Sequence, residues 1–416
     1  MKCTKTPLIP LRRLVKLNPK VDLPDFGEVE YLPMEQIKNG YFEPQSAEIS
    51  TLPESLSAFS EGDILLAKVT PCFENGNLCI AKGLRNKVGV GSTELFVIRV
   101  VSPLILPEYL IFLFQEDRFK STAACEMRGT GGLKRIPTDW LLSYKFPVPS
   151  LEVQHEVVKR LDHKMLEILE LSQTFDNKRD LLEEFQKALI WRVVTKGLNP
   201  KVSMKDSTVS WIGNIPSHWN IATLGRVFDV RLGKMLSPSQ VDPSLTQEDY
   251  LCAGNIDWSG VKGNTLKKMW FSESEKEILL LKPRDVLIVE GGAGFGKATI
   301  YKGEFHHCYI QNSIVRLREL TKVKSEFANF WLRFTYEAYL KTVCSQATFS
   351  HYTKEKVLQT PILVPPKDEQ LEIIDRLSFV DSKINCMIDQ IELHIQKLSE
   401  YRTALVSNMI SEVGKL

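Results

Sequence analysis

The stretches 148-VPSLEVQHEVVKRLDHKMLEI-168 and 364-VPPKDEQLEIIDRLSFVDSKI-384 are two copies of one pattern, 216 residues apart. The register holds without a gap from Val148 to Leu198 against Val364 to Gly414. Identities include Val148/Val364, Pro149/Pro365, Gln154/Gln370, Glu156/Glu372, Arg160/Arg376 and Leu161/Leu377. They continue at Ile168/Ile384, Leu182/Leu398, Glu184/Glu400, Ala188/Ala404 and Leu189/Leu405. Proline suits a first helical turn, and the acids that follow face the positive end of a helix. From Leu151 to Thr195 neither proline nor glycine interrupts. About 45 residues at ~1.5 Å each predict a rod of roughly 65 Å. Its second copy, from about Asp368 to Val413, is the natural partner.

The apolar spacing is heptad-like. Leu161, Ile168, Phe175, Leu182 and Leu189 recur every seven residues, as do Leu377, Ile384, Ile391, Leu398 and Leu405. A second series reads Val157, Lys164, Leu171, Lys178, Phe185 and Ile373, Val380, Met387, His394, Tyr401. The expected seam therefore joins both series, with a polar break at Lys178 and at His394. Two unrelated amphipathic core helices would not share offset, heptads and starting motif.

The repeat extends outward. 61-EGDILLAKVTPCFENGNLCIAKG-83 parallels 282-KPRDVLIVEGGAGFGKATIYKG-303, each read as strand, turn, strand. A further strand follows, 94-ELFVIRV-100 and 313-SIVRLR-318. Next comes a helix, 107-PEYLIFLFQEDRFKSTAA-124 and 326-EFANFWLRFTYEAYLKTV-343. A polar loop then leads to the long helix, 128-RGTGGLKRIPTDWL-141 and 345-SQATFSHYTKEKVL-358. The predicted class is α+β, with two globular α/β domains separated by two long antiparallel coiled-coil helices, a pseudo-two-fold tandem repeat. The predicted boundaries are 1–147, 148–200, 201–363 and 364–416, in the order globular, rod, globular, rod. The first half differs in lacking the lead 211-WIGNIPSHW-219 and in an extra stretch around 41–59.

Composition excludes some classes. Apolar residues are 43% and charged residues 25%, with 53 Lys and Arg against 51 Asp and Glu. A net charge of +2 does not by itself announce a nucleic-acid binder, but basic residues gathered on one face would serve. The eight cysteines form no CxxC pair and read as reduced thiols of a cytoplasmic protein. His306-His307-Cys308 could suggest metal ligands, but neighbours on a strand point to opposite faces, so no metal is expected. No apolar run has the length of a membrane span, and the N-terminus lacks a signal-peptide pattern.

The segment 291-GGAGFGKAT-299 fits a phosphate loop up to its last position, where Ala298 replaces the hydroxyl residue. The pattern after it is that of a strand, where a phosphate loop opens a helix. No methyltransferase or nuclease motif is present. Trp258, Trp270 and Trp331 read as core.

The stretch 211-WIGNIPSHWNIATLGRV-227, the D-V/I-L strand with its turn, and the VPP-type entry to each long helix together resemble the specificity subunits of type I restriction–modification systems. The resemblance covers the whole chain. It implies that each globular domain reads one half of a split double-stranded DNA site. It implies that the paired helices set the spacing and dock two modification (methyltransferase) subunits, a core that restriction subunits can join. It also implies no catalysis in this chain, with S-adenosylmethionine, ATP and Mg bound by partner subunits.

For such reading, Arg and Lys on loops contact phosphates, and longer polar side chains reach base edges. The candidates are Lys68, Arg128, Lys134 and Arg135 in the first domain, beside the permissive glycines Gly129, Gly131 and Gly132. In the second they are Arg231, Lys234, Lys297, Gln346, Ser350, His351 and Lys354. Charged helix residues such as Glu167, Lys178 and Glu184 could face partners. The competing readings are a coiled-coil scaffold whose globular domains bind proteins, and a nucleotide-binding enzyme at Gly291–Lys297.

Overall fold

The computed structural model describes residues 6–415 apart from 25–26, 39, 54, 131, 241, 264, 321–322 and 342–350. Two uninterrupted helices, Leu151–Lys196 and Lys367–Lys415, cover the duplicated stretches. Among the described residues no helix is long and apolar enough to cross a membrane.

The chain divides into two compact units, residues 1–176 with 391–416 and residues 177–390. Each unit owns one half of each long helix. In the first unit, Leu161 shares a core with Val406 and Ile410, while Phe175 stacks on His394. In the second, Val193 shares a core with Ile373 and Leu377, while Gln186 bonds Asp381 and Asn385. In both units a rising number on one helix meets a falling number on the other, so the halves run antiparallel.

The two units repeat one topology. An antiparallel sheet has the spatial order Val15–Leu17, Leu95–Val100, Ile64–Ala67, Leu78–Ile80 in the first unit. The second unit has Phe228–Leu232, Ile314–Glu319, Val286–Val289, Ala298–Ile300 in the same order. A second sheet contains a parallel pair, Glu28–Leu32 with Val88–Gly91 and Thr246–Leu251 with Cys308–Ile310. Each unit also ties a short strand to the one entering the long helix. These are Leu8–Pro10 with Lys145–Pro147 and Asn220–Thr223 with Pro361–Val364.

The motif glutamine at each helix entry has a structural reason. Gln154 accepts from Leu106 N–H and donates to the carbonyls of Leu104 and Pro149. Gln370 accepts from Lys324 N–H and donates to the carbonyl of Pro365. Both amides are buried and clamp the long helix to the loop before the preceding helix. The aspartate of each D-V/I-L strand is equally internal. Asp63 takes a two-pronged bond from Arg99 and Asp285 takes one from Arg318, with all four distances 2.7–2.8 Å.

Several expectations need correction. The stretch around 41–59 is not extra. It supplies Tyr41–Phe42 and Gln45–Glu48, whose counterparts are Gly260–Val261 and Lys267–Phe271. What differs is the next element, strand Ser57–Ser60 in the first unit and helix Glu273–Leu279 in the second.

The second heptad series enters the core at Val157 and Ile373 but leaves it at four of its later members. Leu171, Phe185, Met387 and Tyr401 are about half exposed. The inward flank instead carries Met165, Ser172, Arg179 and Gln186, and on the other helix Asp381, Ile388, Ile395 and Arg402. Hydrogen-bonded Gln186, buried, and Asp381, partly buried, occupy seam positions, so apolar spacing alone pointed to the wrong flank there.

The helix expected over 107–124 is two, Pro107–Gln115 and Asp117–Glu126, broken at an extended Glu116. On one continuous helix Phe114 and Phe119 would point about 140° apart. The break lets both enter the core, with ring centroids 5.2 Å apart. Its counterpart is Ser325–Thr335 followed by a π-turn, Tyr336–Leu340. Trp331 is buried, whereas Trp258 and Trp270 are only half-buried.

Candidate nucleic-acid interface

In the first unit, strand Ile64–Ala67 ends where strand Leu95–Val100 begins. Lys68 N–H donates to Glu94 O across that end, at 3.0 Å. The loop before the long helix folds back onto the same end. Ile136 N–H donates to Lys68 O at 2.9 Å, and Thr70 N–H donates to Lys134 O at 2.9 Å. Arg128 and Arg135 exchange backbone bonds of 2.9 and 2.8 Å, closing a hairpin. Gly129 makes that hairpin possible. Its φ is +151°, and a Cβ there would lie 2.2 Å from Leu133 O. Lys68, Arg128, Lys134 and Arg135 thus meet at one strand end.

The second unit repeats the centre of this contact. Glu290 N–H donates to Ser313 O at 2.9 Å, and Tyr352 N–H donates to Glu290 O at 2.7 Å. Gly291 pairs with His351 as Val69 pairs with Arg135. His351 is therefore the counterpart of Arg135, Glu290 of Lys68, and Ser313 of Glu94. A Cβ on Gly291 would lie 2.6 Å from the His351 ring, so glycine lets the imidazole lie against the turn.

The remaining candidates are distributed unevenly. Lys297 closes the same turn through Val289 N–H to Lys297 O at 2.8 Å, and its ammonium lies 3.4 Å from Asp257. Burial works against ionisation of Asp257. Hydrogen bonds from Lys262 and Trp258 N–H and the charge of Lys297 outweigh it, holding the carboxyl below its usual range. Strand Ala298–Ile300 follows Lys297 directly, as the sequence pattern predicts. Lys354 opens the short helix Lys354–Gln359, three residues after His351.

Lys234 sits at the same end of the sheet, but its ammonium is engaged internally by Glu275 and lies 5.4 Å above the Phe271 ring. Arg231 lies within the edge strand and bonds Asp229 at 2.9 Å, outside the turn–loop contact. Gln346 and Ser350 lie outside the described residues. The described residues contain no cluster of His, Cys, Asp and Glu able to hold a metal.

Sequence reasoning missed Glu94. Its carboxylate takes Arg135 Nε–H at 2.8 Å and Arg135 Nη2–H at 2.7 Å. The Arg135 hydrogen bond, then the Arg135 charge and that of Lys68, hold Glu94 below its usual range against burial, and the pair raises Arg135 in turn. Glu290 is displaced the other way, upward, by burial. The alignment of Glu94 with Ser313 at the head of equivalent strands was the available signal, since an acid beside a basic loop invites a pair.

Comparison with known proteins agrees with this architecture. Residues 216–396 match the family described as type I restriction modification DNA specificity domain. The EcoAI specificity subunit of Escherichia coli is 32% identical over 184 residues, which is 43% of this chain and 31% of that one. The Escherichia coli EcoEI specificity subunit is 31% identical over 186 residues, 44% of this chain and 31% of that one. The chain thus aligns with about a third of the length of these relatives. A solved chain from work on "complex assembly and conformational transition of the type I R-M system" superposes with a TM-score of 0.70 at 17% identity, covering 98% of both chains. That likeness extends the shared fold over both units. Residues 216–396 thus carry a type I restriction modification DNA specificity domain, and the duplicated fold of both units is shared with that solved chain.

Proposed function

We propose that this chain is the non-catalytic DNA-reading subunit of a type I modification complex. Each unit reads one half of a bipartite double-stranded site. The observation that carries the reading is the recurrence of one turn–loop contact at the strand ends of both units. A duplicated scaffold with different side chains at the same places suits two different half-sites. Lys68, Arg128, Lys134 and Arg135 serve the first, and Lys297, His351 and Lys354 the second, with Gln346 and Ser350 as further candidates by sequence. Arg231 and Lys234, each paired with an acid of its own unit, support the fold in this reading rather than touch DNA.

The long helices act as spacer and dock two methyltransferase subunits. The half-exposed apolar flank of Leu171, Phe185, Met387 and Tyr401 supports docking, because apolar groups spaced along a helix and left in water mark a partner surface. S-adenosylmethionine, ATP and Mg belong to the partners, and the complex works in the cytoplasm, with restriction subunits able to join it. Mapping methylated bases in DNA from cells carrying this chain with its methyltransferase subunits tests the reading. The expected result is one two-part motif with a fixed gap. Methylation without a motif, or at a continuous one, overturns it.

A further inference from the structure

We propose that Arg135 is a specificity-determining residue that reads a guanine in the half-site of the first unit, an inference that rests on the DNA-reading function above. A guanidinium has five N–H donors in a rigid fork. Glu94 occupies the Nε–H and one Nη2–H. That leaves the other edge, with parallel N–H groups from Nη1 and Nη2, free to face outward. This is the edge whose spacing matches O6 and N7 of guanine in the major groove. The side chain is 48% exposed, so the free edge is accessible.

The backbone beneath it is held on both sides. Arg135 exchanges two bonds with Arg128, and the flanking Lys134 and Ile136 bond to Thr70 and Lys68. A guanidinium held this way loses little rotamer freedom on binding, which favours base readout over a mobile phosphate contact. Arg128 and Lys134, on the same hairpin, make no side-chain ion pair among the described residues and suit phosphates. In the second unit His351 and Ser313 stand in the places of Arg135 and Glu94, so that unit does not carry this device.

The test uses the full chain assembled with its methyltransferase subunits, reading methylated motifs by sequencing of treated genomic DNA. Arg135→Ala is expected to reduce discrimination at one G·C pair of one half-site by about tenfold to a hundredfold, leaving the other half-site intact. Arg135→Lys keeps the charge but not the fork and is expected to fail similarly. Glu94→Gln, which leaves Arg135 in place but unheld, is expected to give a smaller loss at the same base pair. An unchanged motif in Arg135→Ala, or full rescue by Arg135→Lys, overturns the proposal while a bipartite motif still supports the functional reading. A wild-type motif that is not bipartite overturns that reading itself. Should Arg135→Ala not assemble, Glu94→Gln decides: no change at any G·C pair overturns the proposal.

Discussion

The strand ends of the two units share the main-chain bonds that tie turn, strand and loop together and almost none of the side-chain chemistry. In the first unit a glutamate heads the inner strand and pairs with an arginine across the loop. In the second, Ser313 takes the glutamate's place, His351 the arginine's, and an acid, Glu290, the place of Lys68. The difference teaches that the scaffold is held constant apart from the side chains it presents. Topology, the buried Asp–Arg pair and the glutamine clamp are held constant, while the residues at the loop tips vary.

The largest effect should come from the constant part. Asp63→Ala and Asp285→Ala each strand a partly exposed arginine and remove a buried acceptor. Each should destabilise its own unit by about 2–3 kcal/mol, discounted for the exposure of Arg99 and Arg318. Urea unfolding should give matching losses for the two variants. A loss in one and none in the other would break the equivalence of the units.

The second comparison concerns the glycines. Gly129→Ala places a Cβ against a carbonyl that belongs to the hairpin itself, at a φ that side chains rarely adopt. It should loosen the loop by about 1–3 kcal/mol and weaken reading of the first half-site alone. Gly291→Ala meets only the His351 ring, which can swing aside, so its effect should be smaller and confined to the second half-site. Half-site binding of the assembled complex would separate the two, and equal effects would contradict this account.

The smallest effect is electrostatic and has opposite signs in the two units. The Glu94 carboxyl is depressed, so its contribution is present above the usual carboxylate range and lost as pH falls through its lowered value. Glu290 is raised by burial, so its ionisation opposes folding and acid relieves it. Lowering pH from neutral toward 4 should speed amide hydrogen exchange at Lys68 and Ile136 relative to Glu290 and Tyr352. Exchange that shifts equally in both places would contradict the assignment.

Much of this was legible in the sequence, because a repeat with a constant offset announces a repeated fold. Both long helices, three of the four strands in each unit's antiparallel sheet and the turn after the D-V/I-L strand followed from the repeat and local periodicity. The seam flank did not, because Gln186 is buried and Asp381 largely covered while they bond each other, and Phe185 and Met387 stay exposed. Hydrophobicity alone reverses that order. The break at Glu116 escaped because it answers to two phenylalanines needing one core. The Glu94–Arg135 pair escaped because its partners lie 41 residues apart and meet only once the loop folds back.

The central claim is that each unit reads its own half of one site. Replacing residues 205–360 with the matching segment of a type I specificity subunit, then mapping methylated bases in cells that carry the methyltransferase subunits, tests it most directly. One half of the motif should change, with the other half and the gap preserved. A motif unchanged by the exchange, or altered in both halves, would contradict it.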